Sequence, residues 1–145
     1  MLKRTITILH MASSLLAVLI ITIPTFIRIL GSGFFSMHDD QQVARLYLLD
    51  QALKQGDLYP RWVGLLGFNL GYPLFNFYPP LVYYVGELFH LLGFSYIWSI
   101  KLVFITGFIV GAWGMYLLAR QLWNQTAAFV AALLYTYFFY HATTA

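Results

Sequence analysis

The sequence has no cysteine and little charge: five acidic and eight basic residues among 145. Without cysteine there are no disulfides and no thiolate metal ligands, and the redox compartment leaves no trace. Charged residues make up 9% and hydrophobic ones 61%, against about 25% and about 45–50% in an ordinary soluble domain. That imbalance excludes a water-soluble globule and a disordered tail. A net charge of +3, thinly spread, is too weak a field to hold nucleic acid. P-loop, dinucleotide glycine fingerprint, G-x-S-x-G elbow and zinc spacing among the four histidines are also absent, so no nucleotide cofactor is expected. What remains is an integral membrane protein whose first partner is lipid.

So few charges serve as landmarks. Seven of them (Asp39, Asp40, Arg45, Asp50, Lys54, Asp57 and Arg61) form an island, and charge-free runs cover 5–27, 62–86, 102–119 and 121–145. A bilayer core about 30 Å thick takes about 20 apolar helical residues to cross. Runs 5–27, 102–119 and 121–145 meet that need; 62–86 does not, because Pro73, Pro79 and Pro80 interrupt it. The expected architecture is all-α and polytopic, one membrane domain over 1–145 with spans at about 5–29, 95–119 and 125–140. The first span follows Lys3 and Arg4, is longer than a signal-peptide core and lacks its cleavage pattern, so it reads as a retained anchor. By the positive-inside rule the amino terminus is cytoplasmic and residues 31–94 are external, in the cytoplasmic (plasma) membrane.

Residues 40–55 read as an amphipathic helix lying on the membrane surface, stopped by Gly56, with Asp50 and Lys54 as an i,i+4 pair. Residues 80–93 are apolar but short for a span, and Tyr83, Glu87 and His90 give them one polar stripe; they are expected to be juxtamembrane. If they cross instead, everything after them inverts. Gly107 and Gly111, with Ala127/Ala131 and Ala128/Ala132, have the spacing of close helix packing in lipid. The chain stops at Ala145 straight after an apolar run, which reads as an amino-terminal fragment.

Candidate chemistry clusters in the island. Met37-His38-Asp39-Asp40 places adjacent carboxylates beyond the first span, where they can act as a general base or bind a divalent cation; capping the following helix is the plainer role. In Tyr59-Pro60-Arg61-Trp62, Arg61 can hold a phosphate and Trp62 can stack on a sugar, or both can anchor at the interface. The proline- and aromatic-rich stretch from Gly71 through Tyr78 to Pro80 forms a stiff loop or a substrate wall. Glu87 and His90 can form a hydrogen-bonded pair, and Lys101 either snorkels to the interface or meets a lipid phosphate. His10 reads as a packed polar residue, and His141 stands where the third span exits.

The succession of HDD, LYPRW, GYPLFNFYPP, GELFHLLGFS, KLVF and GMYLLARQLW resembles the bacterial and archaeal membrane proteins labelled 6-pyruvoyl-tetrahydropterin synthase-related. The label is not a function, because a pterin synthase would need a histidine zinc site that this sequence lacks. The layout is similar to the GT-C class of polytopic glycosyltransferases. That resemblance implies a sugar donor linked to polyprenyl phosphate and used at the outer membrane face. It also implies Asp39 or Asp40 as base or ligand and Arg61 as a phosphate contact, while His38, Trp62, Tyr78, Glu87, His90 and Lys101 are substrate-contact candidates from their own chemistry. Family members are longer, so this stretch alone is expected to be inactive. The contrasting expectation is a non-catalytic membrane protein, such as a lipid or polymer transporter subunit or an assembly partner, in which the acidic pair merely caps a helix.

Overall fold

The computed structural model describes residues 2–33 and 41–138, with the backbone alone for 2–12 and for Arg28. The elements are helices α1 (Leu2–Phe26), α2 (Gln42–Lys54), α3 (Leu74–Phe77), α4 (Leu81–Leu91), α5 (Tyr96–Leu122) and α6 (Gln125–Tyr137), with a 3-10 turn over Ile27–Leu30. Among the described residues the sole β pairing is an isolated bridge between Val63 and Tyr72. The all-α expectation therefore holds. The chain forms two compact units, residues 1–37 with 104–145, and residues 38–103.

In the first unit, α1, most of α5 and α6 share a core of Val18, Ala112, Tyr116, Ala119, Ala128 and Ala132. Small side chains at these positions let helix backbones come close. At Gly111 a Cβ would stand 3.0 Å from the Tyr135 ring, whereas one at Gly107 would meet nothing. Of the expected glycine pair, only Gly111 lies at a close approach; Ala128 and Ala132 are fully buried. Polar tethers tie the unit together. Trp113 Nε1 donates to the Leu15 carbonyl (3.0 Å), Gln125 Nε2 to Ser14 Oγ (3.1 Å), and the Tyr137 hydroxyl to the Ile21 carbonyl (2.8 Å).

The ends of these helices follow from sequence. Pro24 breaks the hydrogen-bond ladder of α1, and the helix passes into the 3-10 turn three residues later. Asn124 caps α6, its side chain accepting from the Ala127 amide at 2.9 Å. Among the described residues one helix, Tyr96–Leu122, is both long and apolar enough to cross a membrane; its 27 residues leave Val110, Leu117 and Leu118 exposed. The apolar part of α1 with described side chains, Ser13–Phe26, is shorter. The described part of α6 ends at Tyr137, and Tyr140 and His141 lie outside the described residues, as do the side chain of His10 and all of His38, Asp39 and Asp40.

The second unit is built on α2 and α4. Both end as the glycines foretell. Gly56 at φ +89° lets the Asp57 amide reach back to the Ala52 carbonyl (3.0 Å), and Gly93 at φ +100° lets Phe94 reach Phe89 (3.3 Å). The amino-terminal cap of α2 is Gln41, which makes no side-chain capping bond. At 11 residues, α4 is about 16 Å long, roughly half the thickness of a bilayer core.

One departure concerns α2 itself. A surface helix would show one apolar stripe, yet its buried residues are Arg45, Leu46, Leu48, Leu49 and Asp50. The buried residues extend beyond one stripe. Arg45, Leu46, Leu49 and Asp50 turn toward α4, where Leu46 packs within 3.3 Å of where a Cβ on Gly86 would be. Leu48, Gln51, Ala52 and Gln55, at i, i+3, i+4 and i+7, turn toward the loop that begins at Trp62.

Candidate functional site

Between α2, α4 and the first turn of α5 lies a buried polar cluster centred on Asp50, which is 2% exposed. Its Oδ2 accepts from Lys54 Nζ at 2.6 Å and from the Tyr96 hydroxyl at 2.7 Å, with a longer contact from Gln51 Nε2 at 3.4 Å. Burial pushes the Asp50 carboxyl up, but the hydrogen bonds from Lys54 and Tyr96 and the positive charge of Lys54 outweigh it and hold the group below its ordinary range. The bond to Asp50 in turn holds the Lys54 ammonium above its usual value.

Glu87, one helical face away on α4, is 4% exposed, and its Oε2 has no hydrogen-bond partner. Burial raises its carboxyl pKa, and the neighbouring negative charge of Asp50 raises it further. Two buried carboxyls thus lie side by side with their pKa values shifted in opposite directions, Asp50 down and Glu87 up. The expected Glu87–His90 hydrogen bond is not made. His90 Nδ1 lies 2.8 Å from the Phe94 carbonyl, which can only accept, so Nδ1 carries the proton. Its ring stacks on Tyr96 with centroids 4.0 Å apart, and Tyr96 also meets Tyr47 edge-on at 5.6 Å. The polar stripe of Tyr83, Glu87 and His90 therefore faces α2 and the start of α5.

A second relay runs beside the first. Arg45 lies over the Tyr78 ring, 3.9 Å from its centroid, and its Nη1 donates to the Tyr83 hydroxyl at 3.4 Å. That hydroxyl donates onward to Gln42 Oε1 at 2.7 Å. Tyr78, a candidate wall residue, is thus the platform for a buried guanidinium. Lys101 is 1% exposed, its ammonium 4.7 Å from the Trp98 ring centroid. Trp98, three residues earlier on the same face, supplies it with a cation–π surface.

Arg61 and Trp62 are both exposed. The Arg61 guanidinium stands 5.8 Å from the Tyr59 ring centroid. Trp62 is held by the loop on its carboxyl-terminal side. Val63 and Tyr72 exchange both backbone hydrogen bonds (2.9 and 3.0 Å), and the indole lies against Gly71, where a Cβ would collide with Nε1. The Tyr84 hydroxyl donates to the Leu58 carbonyl at 2.5 Å, anchoring the chain before Arg61 to α4. Sequence reasoning missed Asp50, Arg45 and Gln51 as members of a site, and the only local signal was the Asp50–Lys54 spacing. Among the described residues no group of three His, Asp or Glu side chains is gathered as a metal ion would need.

Comparison with known proteins bears on the carboxyl-terminal part. No curated protein and no solved structure matches the chain. Residues 78–145 are similar to the family described as dolichyl-phosphate-mannose-protein mannosyltransferase, a match that covers α4, α5 and α6 and supports the GT-C class of membrane glycosyltransferases.

Proposed function

We propose that the chain carries part of the active site of a GT-C-type membrane glycosyltransferase, which takes its sugar from a polyprenyl-phosphate carrier at the outer membrane face. The similarity of residues 78–145 to the mannosyltransferase family is the observation that carries this reading. The resemblance of HDD, LYPRW and GYPLFNFYPP to the membrane proteins labelled 6-pyruvoyl-tetrahydropterin synthase-related supports it from the other half of the chain.

In this reading Asp39 or Asp40 takes the proton of the acceptor hydroxyl. The hydroxyl oxygen forms a bond to the anomeric carbon as the bond from that carbon to the phosphate oxygen breaks. The polyprenyl phosphate leaves with the electron pair and the anomeric configuration inverts. Arg61, exposed at the mouth of the loop, offsets the charge on the departing phosphate. In the sequence the acidic pair comes just before α2, and α2 is held on one face by the Asp50 and Arg45 clusters.

The donor class is tested with membranes containing the full-length protein, offered radiolabelled sugar on polyprenyl phosphate or on a nucleoside diphosphate. Label reaching an acceptor from the lipid-linked donor alone is the expected result. Transfer directly from the nucleotide sugar, with the lipid-linked donor inert, contradicts the proposal.

A further inference from the structure

Another side of α2, running from buried Leu48 to exposed Gln55, borders a cleft of about 210 Å³ lined by Leu48, Gln51, Gln55, Asp57, Trp62 and Leu65 among others. That is below the about 300–1,000 Å³ of sites for drug-sized ligands and suits a single ring. The lining combines one indole with two primary amides and a carboxylate. An aromatic face packs on the C–H face of a pyranose, while planar amides donate to and accept from vicinal hydroxyls and a carboxylate accepts from them. None of the side chains named is cationic, so the cleft lacks the charge that a phosphate would need.

Several of these groups are braced by the chain itself. Gln51 and Gln55 project from the last two turns of α2, four residues apart on one face, and Gln51 is tethered at its nitrogen to Asp50. One oxygen of Asp57 accepts from the Tyr59 amide at 3.2 Å, which fixes the carboxylate and leaves the other oxygen uncommitted. The Trp62 indole is 60% exposed yet braced by Gly71 and by the Val63–Tyr72 bridge.

We infer that this cleft, formed by Gln51, Gln55, Asp57 and Trp62, is a binding subsite for one neutral hexopyranose ring. The inference rests on the glycosyltransferase reading and deepens it: the ring belongs to the donor or to a sugar on the acceptor, and Arg61, adjoining Trp62, leaves the phosphate end outside the cleft.

The test uses the full-length protein in phospholipid nanodiscs, free of glycosidic detergents. Saturation-transfer NMR then measures binding of the methyl pyranosides of glucose, mannose and galactose. At least one should bind the wild type, about tenfold more weakly in Trp62→Ala and Gln51→Leu, with recovery in Trp62→Tyr. Gln55→Leu, at the exposed end of α2, removes an amide without touching the core, so the test survives if Trp62→Ala misfolds. No saturation transfer in the wild type, or equal affinity in every folded variant, overturns the subsite. Steady-state transfer assays keep the two readings apart. A rise in KM for the lipid-linked donor assigns the ring to the donor, and a rise for the acceptor assigns it to the acceptor. A wild type that transfers sugar while binding ignores these substitutions overturns the subsite alone. A wild type that binds the glycosides in the expected pattern yet transfers nothing overturns the transferase alone.

Discussion

The Tyr96 hydroxyl donates a 2.7 Å hydrogen bond to the Asp50 carboxylate, joining the first turn of α5 to the middle of α2 across 46 residues of sequence. Lys54 shares the same oxygen from the solvent side. Replacing Asp50 by Ala leaves the Tyr96 hydroxyl without its acceptor and removes the buried anchor of α2, at a cost of about 1–3 kcal/mol. Chemical unfolding followed by circular dichroism measures the loss. An unchanged midpoint would show that the bond contributes nothing.

Asp50 and Glu87 give opposite pH dependences. The Asp50 pKa is lowered on folding, so its stabilisation is present above its ordinary value of 3.8 and fades as pH falls through the lower folded value. The Glu87 pKa is raised on folding, so the folded state binds the extra proton and stability declines as pH rises from 4.5 through the folded value. Glu87→Gln keeps the shape of the acid form without ionising. The variant should match the wild type near the acid end of that window and exceed it above. Melting temperatures collected across pH check this, and parallel curves for the two proteins would refute the raised carboxyl.

Gly71 allows the Trp62 indole to lie against the backbone at φ +85°. Gly71→Ala meets the indole and the positive φ together, and the backbone part alone costs about 1–2 kcal/mol. Gly64→Ala meets nothing within 4 Å and serves as the control. The expected outcome is a lower unfolding midpoint and a shifted tryptophan emission for Gly71→Ala only.

In the first unit, Gly111 and Gly107 separate contact from spacing. Gly111→Val drives a branched side chain into the Tyr135 ring, whereas Gly107→Val enters open space. Thermal stability of the purified protein should fall by about 1–3 kcal/mol for the first and little for the second. Equal effects would show that the pair acts by spacing alone.

The sequence made the local devices legible. Gly56 and Gly93 mark the ends of α2 and α4, and Tyr83, Glu87 and His90 fall on one face as their spacing requires, whereas the expected first span ran past Pro24 to about residue 29 and α1 ends at Phe26. What that face meets was not legible, because Tyr96 reaches Asp50 and Tyr83 reaches Gln42 only after the chain has turned back on itself. Arg45 and Asp50 read as the polar side of a surface helix, since nothing local reveals that Tyr78 and Tyr96 will cover them. Gln51 and Gln55 were silent for the same reason. Lys101 was different: Trp98 precedes it by one helical turn, and that spacing foretold a cation–π contact that a reading based on lipid alone passed over.

The central claim is that the acidic pair before α2 serves glycosyl transfer. The most direct measurement is the turnover of a polyprenyl-phosphate-linked sugar by the full-length protein carrying Asp39→Asn, Asp40→Asn or both. Membrane insertion is checked alongside. At least one single variant and the double should lose about 100-fold or more in kcat while inserting normally. Full turnover in both single variants and in the double would contradict the account.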